Sequence, residues 1–207
     1  MTNFIPIFPL SIVVYPGETL NLHIFEPRYL QLINDCITDK KPFGIPAVVN
    51  ERLCEMGTLV EIIEVCQVYE DGKMDIKTMG QKVFRMLEML NELPDKLYSG
   101  AIVNYPDIIK NGTAVLMQSI IKGMKELHRQ LKVEKIFSKT ESELSVYDVA
   151  HHTGLSLAEE YELLELLQEL HRQEYLKRHL KKALPLLAEM ELLKEKIKLN
   201  GHFKNLS

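Results

Sequence analysis

The sequence predicts an α+β chain: a small, partly closed β-barrel with one inserted helix, followed by a helical bundle whose last helix is long and kinked. Three observations predict it. Up to about residue 110 the apolar residues come in short runs cut by proline and glycine, or alternate with a period of two. After Asn111-Gly112 they recur at helical spacing. At 207 residues, 46 % hydrophobic and 26 % charged, either half is large enough to bury a core. The expected division is 1–110 for the barrel and 111–207 for the bundle.

The runs IPIF and IVVY are broken by Pro9 and by the Pro16-Gly17 pair, a turn signal. A helix is expected from about Pro27 to Ile37, with Tyr29, Leu30, Ile33 and Ile37 as its apolar stripe. Pro27 suits a first helical turn, where its missing N–H removes no bond. The clearest strand is Lys73–Thr78, in which Met74, Ile76 and Thr78 alternate with charged residues. It follows Asp71-Gly72, which suits a tight hairpin turn back to Leu59–Tyr69. Lys82–Leu90 continues the meander, and Gly80 at the junction marks a bulge or a close backbone approach.

In the second half, Leu116, Met117, Ile120, Ile121, Met124, Leu127 and Leu131 fall on one helical face. Thr140 and Glu143 can form a capping box for a helix ending near Gly154, and Ser156 and Glu159 repeat the box for the next. The last helix is expected from about His171 to Leu199, with Tyr175, Leu176, Leu180, Ala183, Leu187, Met190, Leu193 and Ile197 turned inward. Pro185 should kink or interrupt it. Its Leu, Lys and Glu content also allows a coiled-coil seam, against which Pro185 argues.

A net charge of −4 argues against broad binding to nucleic acid or anionic lipid, both of which need a dense positive field. The residues before Asn111 hold 10 Lys and Arg against 15 Asp and Glu, so the barrel half is the acidic one. Cys36, Cys54 and Cys66 form neither a disulfide framework nor a metal clip and read as free thiols. With no basic, apolar secretory start and no membrane-length apolar run, a cytoplasmic location is expected.

One set of motifs is informative as an ordered series. Ile5–Cys36 contains a PIF strand closed by Pro9-Leu10, then Val13-Val14-Tyr15-Pro16-Gly17, a strand ending at Phe25, and Glu26-Pro27-Arg28-Tyr29 opening a helix. Next come Gly57-Thr58-Leu59-Val60, Asp71-Gly72, Gly80 and Val83-Phe84-Arg85. This order resembles the N-terminal, substrate-recognition domain of the Lon protease family, and the helical tail is similar as well. Gln81 and Lys82 depart from the arginines usual in the family's strand. The resemblance covers about Ile5 to Ile197. It implies a PUA-like barrel followed by helices, and a role in recognising protein substrates for an ATP-driven unfoldase and a serine–lysine protease.

Those engines are not expected here. No glycine opens a phosphate-holding GxxxxGK[ST] loop, and no segment resembles the Ser–Lys protease domain. The reading is a free-standing, non-catalytic module with no cofactor and no metal, and the tail GHFKNLS reads as a natural end. Its expected partners are unfolded or partly folded proteins, with a separate protease or chaperone as a further partner and no membrane. RNA binding is the alternative, because a PUA-like barrel is also an RNA scaffold.

A helix-turn-helix reading of Asp148–Leu164 fails on chemistry, because Glu159, Glu160, Glu162 and Glu165 would be carried toward phosphates. The adjacent His151 and His152 diverge on a helix, His171 and His179 stand far apart, and His23 belongs on the polar face of a strand, so none suggests a metal site. For peptide binding the candidates are Phe25, Glu26, Arg28, Tyr29 and Phe43. Glu26 and Arg28 also suit local pairing at a helix start, and the three aromatic residues also suit the core.

Overall fold

The computed structural model describes residues 3–202, with side chains through residue 197; residues 203–207 of the tail GHFKNLS lie outside them. Six strands form one antiparallel sheet: β1 (Asn3–Pro6), β2 (Thr19–Ile24), β3 (Phe43–Val49), β4 (Arg52–Val68), β5 (Met74–Leu90) and β6 (Gly100–Asn104). The order is β1-β6-β5-β4-β3, with β2 also on β5. The α+β expectation holds, but the sheet is not closed into a barrel. Only two isolated parallel bridges, Ile7 to Gly44 and Leu10 to Ala47, join the segment after β1 to β3.

β5 is the shared strand. The expected Lys73–Thr78 strand and the Lys82–Leu90 continuation are one element. Its first residues pair with β2 on one side and β4 on the other, and its last residues pair with β6. Met74, Ile76 and Thr78 are buried while their neighbours are not, as the alternation requires. Gly72, at φ +83°, makes the hairpin turn to β4.

Gly80 sits where both expected features occur together. The register steps from Leu59–Lys82 to Val60–Gly80, so Gln81 is the bulged residue. The Pro16-Gly17 turn docks against it: Gly17 N–H donates to Gly80 O at 2.8 Å, and Gly80 N–H donates to Glu18 O at 2.8 Å. A Cβ on Gly80 would stand 2.3 Å from Tyr15 O. Beside this node the Thr58 hydroxyl donates to Val14 O.

Helix α1 (Pro27–Asp39) follows β2, with Pro27 in its first turn. Its buried face is Tyr29, Leu32, Ile33 and Cys36, whereas Ile37 is exposed. The stripe is therefore rotated from the expected one, because the helix leans on Phe8, Phe43 and Tyr98 in a common core. Its polar side is clamped to the segment before β6: the Lys96 ammonium and the Tyr98 hydroxyl donate to Asp35 Oδ2 at 2.8 and 2.7 Å. Leu97 N–H donates to Gln31 Oε1 at 2.6 Å.

Two compact units emerge, Met1–Ile109 with Leu155–Leu167, and Lys110–Gly154 with Gln168–Ser207. Relative to a division at residue 110, helix α4 (Leu157–Glu165) sits in the sheet unit. Tyr15 donates its hydroxyl to Glu160 O at 2.9 Å, and Met56 N–H donates to the Tyr161 hydroxyl at 3.2 Å. The Ser156–Glu159 capping box forms as expected.

In the second unit α2 (Ala114–Leu131) buries Met117, Ile120, Ile121, Met124 and Leu127, while Leu131 is exposed. The Thr140–Glu143 pair caps only a turn. The helical segment α3 (Val146–Val149) starts later, at a box formed by Ser145 and Asp148. Helix α5 (Glu169–His202) runs on through Pro185 without interruption. Leu176 and Leu180 are buried, but Met190, Leu193 and Ile197, expected inward, are exposed. Gly123 on α2 comes close to Leu180, and the buried Arg172 pairs with Glu169 at 2.7 Å with its guanidinium over the Tyr147 ring.

Two outcomes are expected. Gly80→Ala should lower the unfolding free energy by about 2 kcal/mol or more, read by chemical denaturation, because the backbone of the Tyr15 turn must move to admit the methyl group. The bonds from Lys96 and then Tyr98 hold the Asp35 carboxyl below the usual carboxylate range. Its contribution to stability is thus complete above an unfolded value of about 3.9 and is lost as pH falls through the lower folded value. In Asp35→Asn that part of the acid dependence should vanish from unfolding curves recorded across the pH range.

Candidate functional site

The candidate site is an exposed aromatic ledge at the end of the sheet where β2, β5 and the β4–β5 hairpin meet. Strand pairing sets His23 of β2 opposite Asp75 of β5, and Asp75 opposite Gln67 of β4. Ile24, Met74 and Ile76 fill the core side of these strands, so the residues between them face outward. His23 Nδ1 lies 2.6 Å from Asp75 Oδ1, and the Tyr69 hydroxyl donates to Asp75 Oδ2 at 2.7 Å. The His23 ring stacks on Phe25 with centroids 6.0 Å apart and meets Tyr69 edge-on at 5.8 Å.

The charges around the ledge are largely used up. The hydroxyl of Tyr69, and then His23, hold the Asp75 carboxyl below its ordinary range, and the same bond raises the Tyr69 phenol. Glu26 and Arg28 pair with each other at 2.8 Å, and the Arg28 guanidinium lies 4.5 Å from the Tyr29 ring centroid. Glu26 opens α1 with its carbonyl, which accepts from Tyr29 and Leu30 N–H. What remains for a ligand is mostly aromatic surface and half-satisfied polar edges. Exposed aromatic faces of this kind offer apolar contact area.

The five candidate residues separate by burial. Phe25 is 57 % exposed and stands on the ledge, with Glu26 and Arg28 beside it at the surface. Tyr29 and Phe43 are 7 % and 0 % exposed and belong to the core around Phe8, whose ring stacks on Tyr29 at 3.8 Å. Tyr69 and Asp75 were not among the candidates. The Asp71-Gly72 turn could have placed them on one hairpin, but only the β2–β5 pairing brings His23 and Phe25 to them.

Among the described residues, no group of three or more His, Cys, Asp and Glu side chains could hold a metal ion. His128 and His179 reach backbone carbonyls, of His152 and Thr153, at 2.8 and 3.0 Å. Among the described residues no helix is long and apolar enough to cross a membrane.

A family model described as the ATP-dependent protease La (LON) substrate-binding domain matches residues 5–182. The chain belongs to this family. It is similar to protein cereblon of Gallus gallus, 28 % identical over 123 residues, which are 56 % of this chain and 27 % of that protein. It is also similar to the Lon protease of Parabacteroides distasonis, 27 % identical over 132 residues, which are 59 % of this chain and 16 % of that protein. The chain thus spans about a quarter or less of these relatives. Among solved structures, the Lon N-terminal domain protein from Xanthomonas campestris shares the fold with a TM-score of 0.62 and 24 % identity, covering 84 % of this chain and 96 % of that one. The N-terminal domain of the Mycobacterium avium complex Lon protease shares it with a TM-score of 0.63 and 14 % identity, covering 87 % and 100 %. The chain is a substrate-binding module of the Lon type.

Removing the largest cause of the Asp75 shift tests the ledge directly. In Tyr69→Phe the Asp75 carboxyl should titrate higher than in the parent protein, moving toward the ordinary Asp value, when followed by carboxyl-carbon NMR.

Proposed function

We propose that this chain is a non-catalytic module that captures exposed apolar segments of unfolded or partly folded proteins and presents them to a separate ATP-dependent protease or chaperone. The observation that carries the reading is the exposed Phe25 on the His23–Tyr69 ledge, in a chain whose family is defined by substrate binding. An aromatic ring left in solvent beside a packed core gives apolar side chains a surface to cover, and its flat face favours no single sequence. Affinity on the order of micromolar suits such sequence-tolerant capture, because a client must also be released.

The acidic sheet half supports a protein client over nucleic acid, because 10 basic against 15 acidic residues before Asn111 give phosphate chains little attraction. The free thiols support the cytoplasm as its place of work: Cys36 is buried with its thiol pushed up to about 12 by desolvation, and Cys66 is exposed.

Fluorescence anisotropy with a reduced, carboxymethylated model protein, set against the same protein in its native state, tests the reading. Binding should favour the unfolded form, and equal binding to both would sink the proposal. Phe25→Ala should weaken capture about tenfold, roughly 1.4 kcal/mol, without lowering stability.

A further inference from the structure

The sheet covers its edges unequally. The outer edge of β3 is occupied by the segment after β1: Phe8 N–H donates to Gly44 O at 2.8 Å, and Val48 N–H donates to Leu10 O at 2.8 Å. β3 in turn covers β4, but only as far as the Phe43–Val60 pair. Just before Phe43 the chain turns away into the end of α1, where Lys40 takes the left-handed conformation at φ 52°. Among the described residues no strand follows the outer edge of β4 from Glu61 to Val68. The line that β3 would have continued is vacant.

A groove occupies that line. It measures about 630 Å³ and lies between the end of α1 and β4, with Ile37, Lys40 and Lys41 on one wall and Ile62, Ile63 and Val65 on the other. Ile63 is 49 % exposed, and Ile37 and Val65 are also exposed. Lys82 extends the basic wall. Of the two carboxylates on the floor, Glu61 accepts a bond from Gln81 at 3.1 Å.

We propose that this groove binds an extended polypeptide segment by β-strand addition to the outer edge of β4. The occupant has alternating apolar side chains over Ile63 and Val65 and an acidic residue toward Lys40, Lys41 and Lys82. A row of unpaired N–H and C=O groups in a groove is matched by another extended backbone, and a helix, whose backbone bonds are internal, cannot supply the partners. A second copy of β4 is a poor occupant. Its charges between Glu61 and Glu70 are Glu61, Glu64, Glu70 and no base, so self-pairing sets acid against acid. The register shifts leave Ile63 and Cys66 bulged, and the resulting coil suits one flexible chain better than the edge of a second sheet. The edge ends at Val68, next to Tyr69 of the ledge, so a segment held here leads onto Phe25 and His23.

This inference rests on the substrate-binding reading and specifies how a client is held. The test uses the full chain and a peptide of about eight residues, enough to follow Glu61–Val68 at roughly 3.4 Å per residue, built of alternating valine and threonine with one aspartate. Two N-methylated versions block alternate amides, one set along each edge. Strand addition engages one edge, so one version should bind at least tenfold more weakly and the other should match the parent peptide. Amide hydrogen exchange along Glu61–Val68 should slow at least tenfold at the outward-facing positions when the parent peptide is added. Equal binding of both N-methylated versions, or loss of both, with exchange in β4 unchanged overturns strand addition. If the carboxymethylated protein still binds in that case, capture at the ledge stands and this inference alone fails; if nothing unfolded binds, both readings fail.

Discussion

The Tyr15 carbonyl lies where a Cβ on residue 80 would stand, and both backbone bonds of Gly80 are made with the Pro16-Gly17 turn. Any side chain there would push the turn from the sheet. The turn carries Tyr15, which is fully buried and reaches α4 through its hydroxyl, and Val14, whose carbonyl accepts from Thr58 on β4. A single backbone approach therefore ties together β5, β4, the segment before β2, and a helix whose bonds to Tyr15 and Met56 span 145 and 105 residues of sequence. The bulge at Gln81 has the same origin, because the ladder must step aside where the turn is seated.

The rest of the sheet follows from that constraint. β5 crosses from the β2–β4 pair at its start to β6 at its end, and the sheet curls without closing. Because β3 begins at Phe43, the outer half of β4 lacks the cover that its inner half enjoys, and its burial falls from complete at Met56–Val60 to largely exposed beyond Glu61. The exposed aromatic ledge lies at the same end. The ledge and the open edge of β4 thus lie where the sheet is least complete, while Tyr29 and Phe43 stay in the core that holds α1 in place.

Much of this was legible in the residues. Alternation at Met74, Ile76 and Thr78, the Asp71-Gly72 turn, Pro27 at a helix start and the Ser156–Glu159 box are local signals, and each formed where its chemistry placed it. The family was also legible, since its motifs are spaced by the turns themselves. The failures are equally instructive. The Thr140–Glu143 pair makes its bond yet stays a turn, and the helical segment starts at the Ser145–Asp148 box instead. Ile37 and Met190 have helical spacing yet face solvent, because periodicity marks a stripe without saying how far its partner extends.

The sequence by itself determined the local elements, the α+β class and the family, because turn chemistry, caps and hydrophobic period act over a few residues at a time. Only the tertiary structure decided that His23, Phe25, Tyr69 and Asp75 share one surface, that α4 leaves its neighbours for the sheet unit, and that the outer edge of β4 is open. Each of these depends on which strands pair across tens of residues. Such pairing is settled by the joint packing of the whole core, and no short stretch of sequence encodes it.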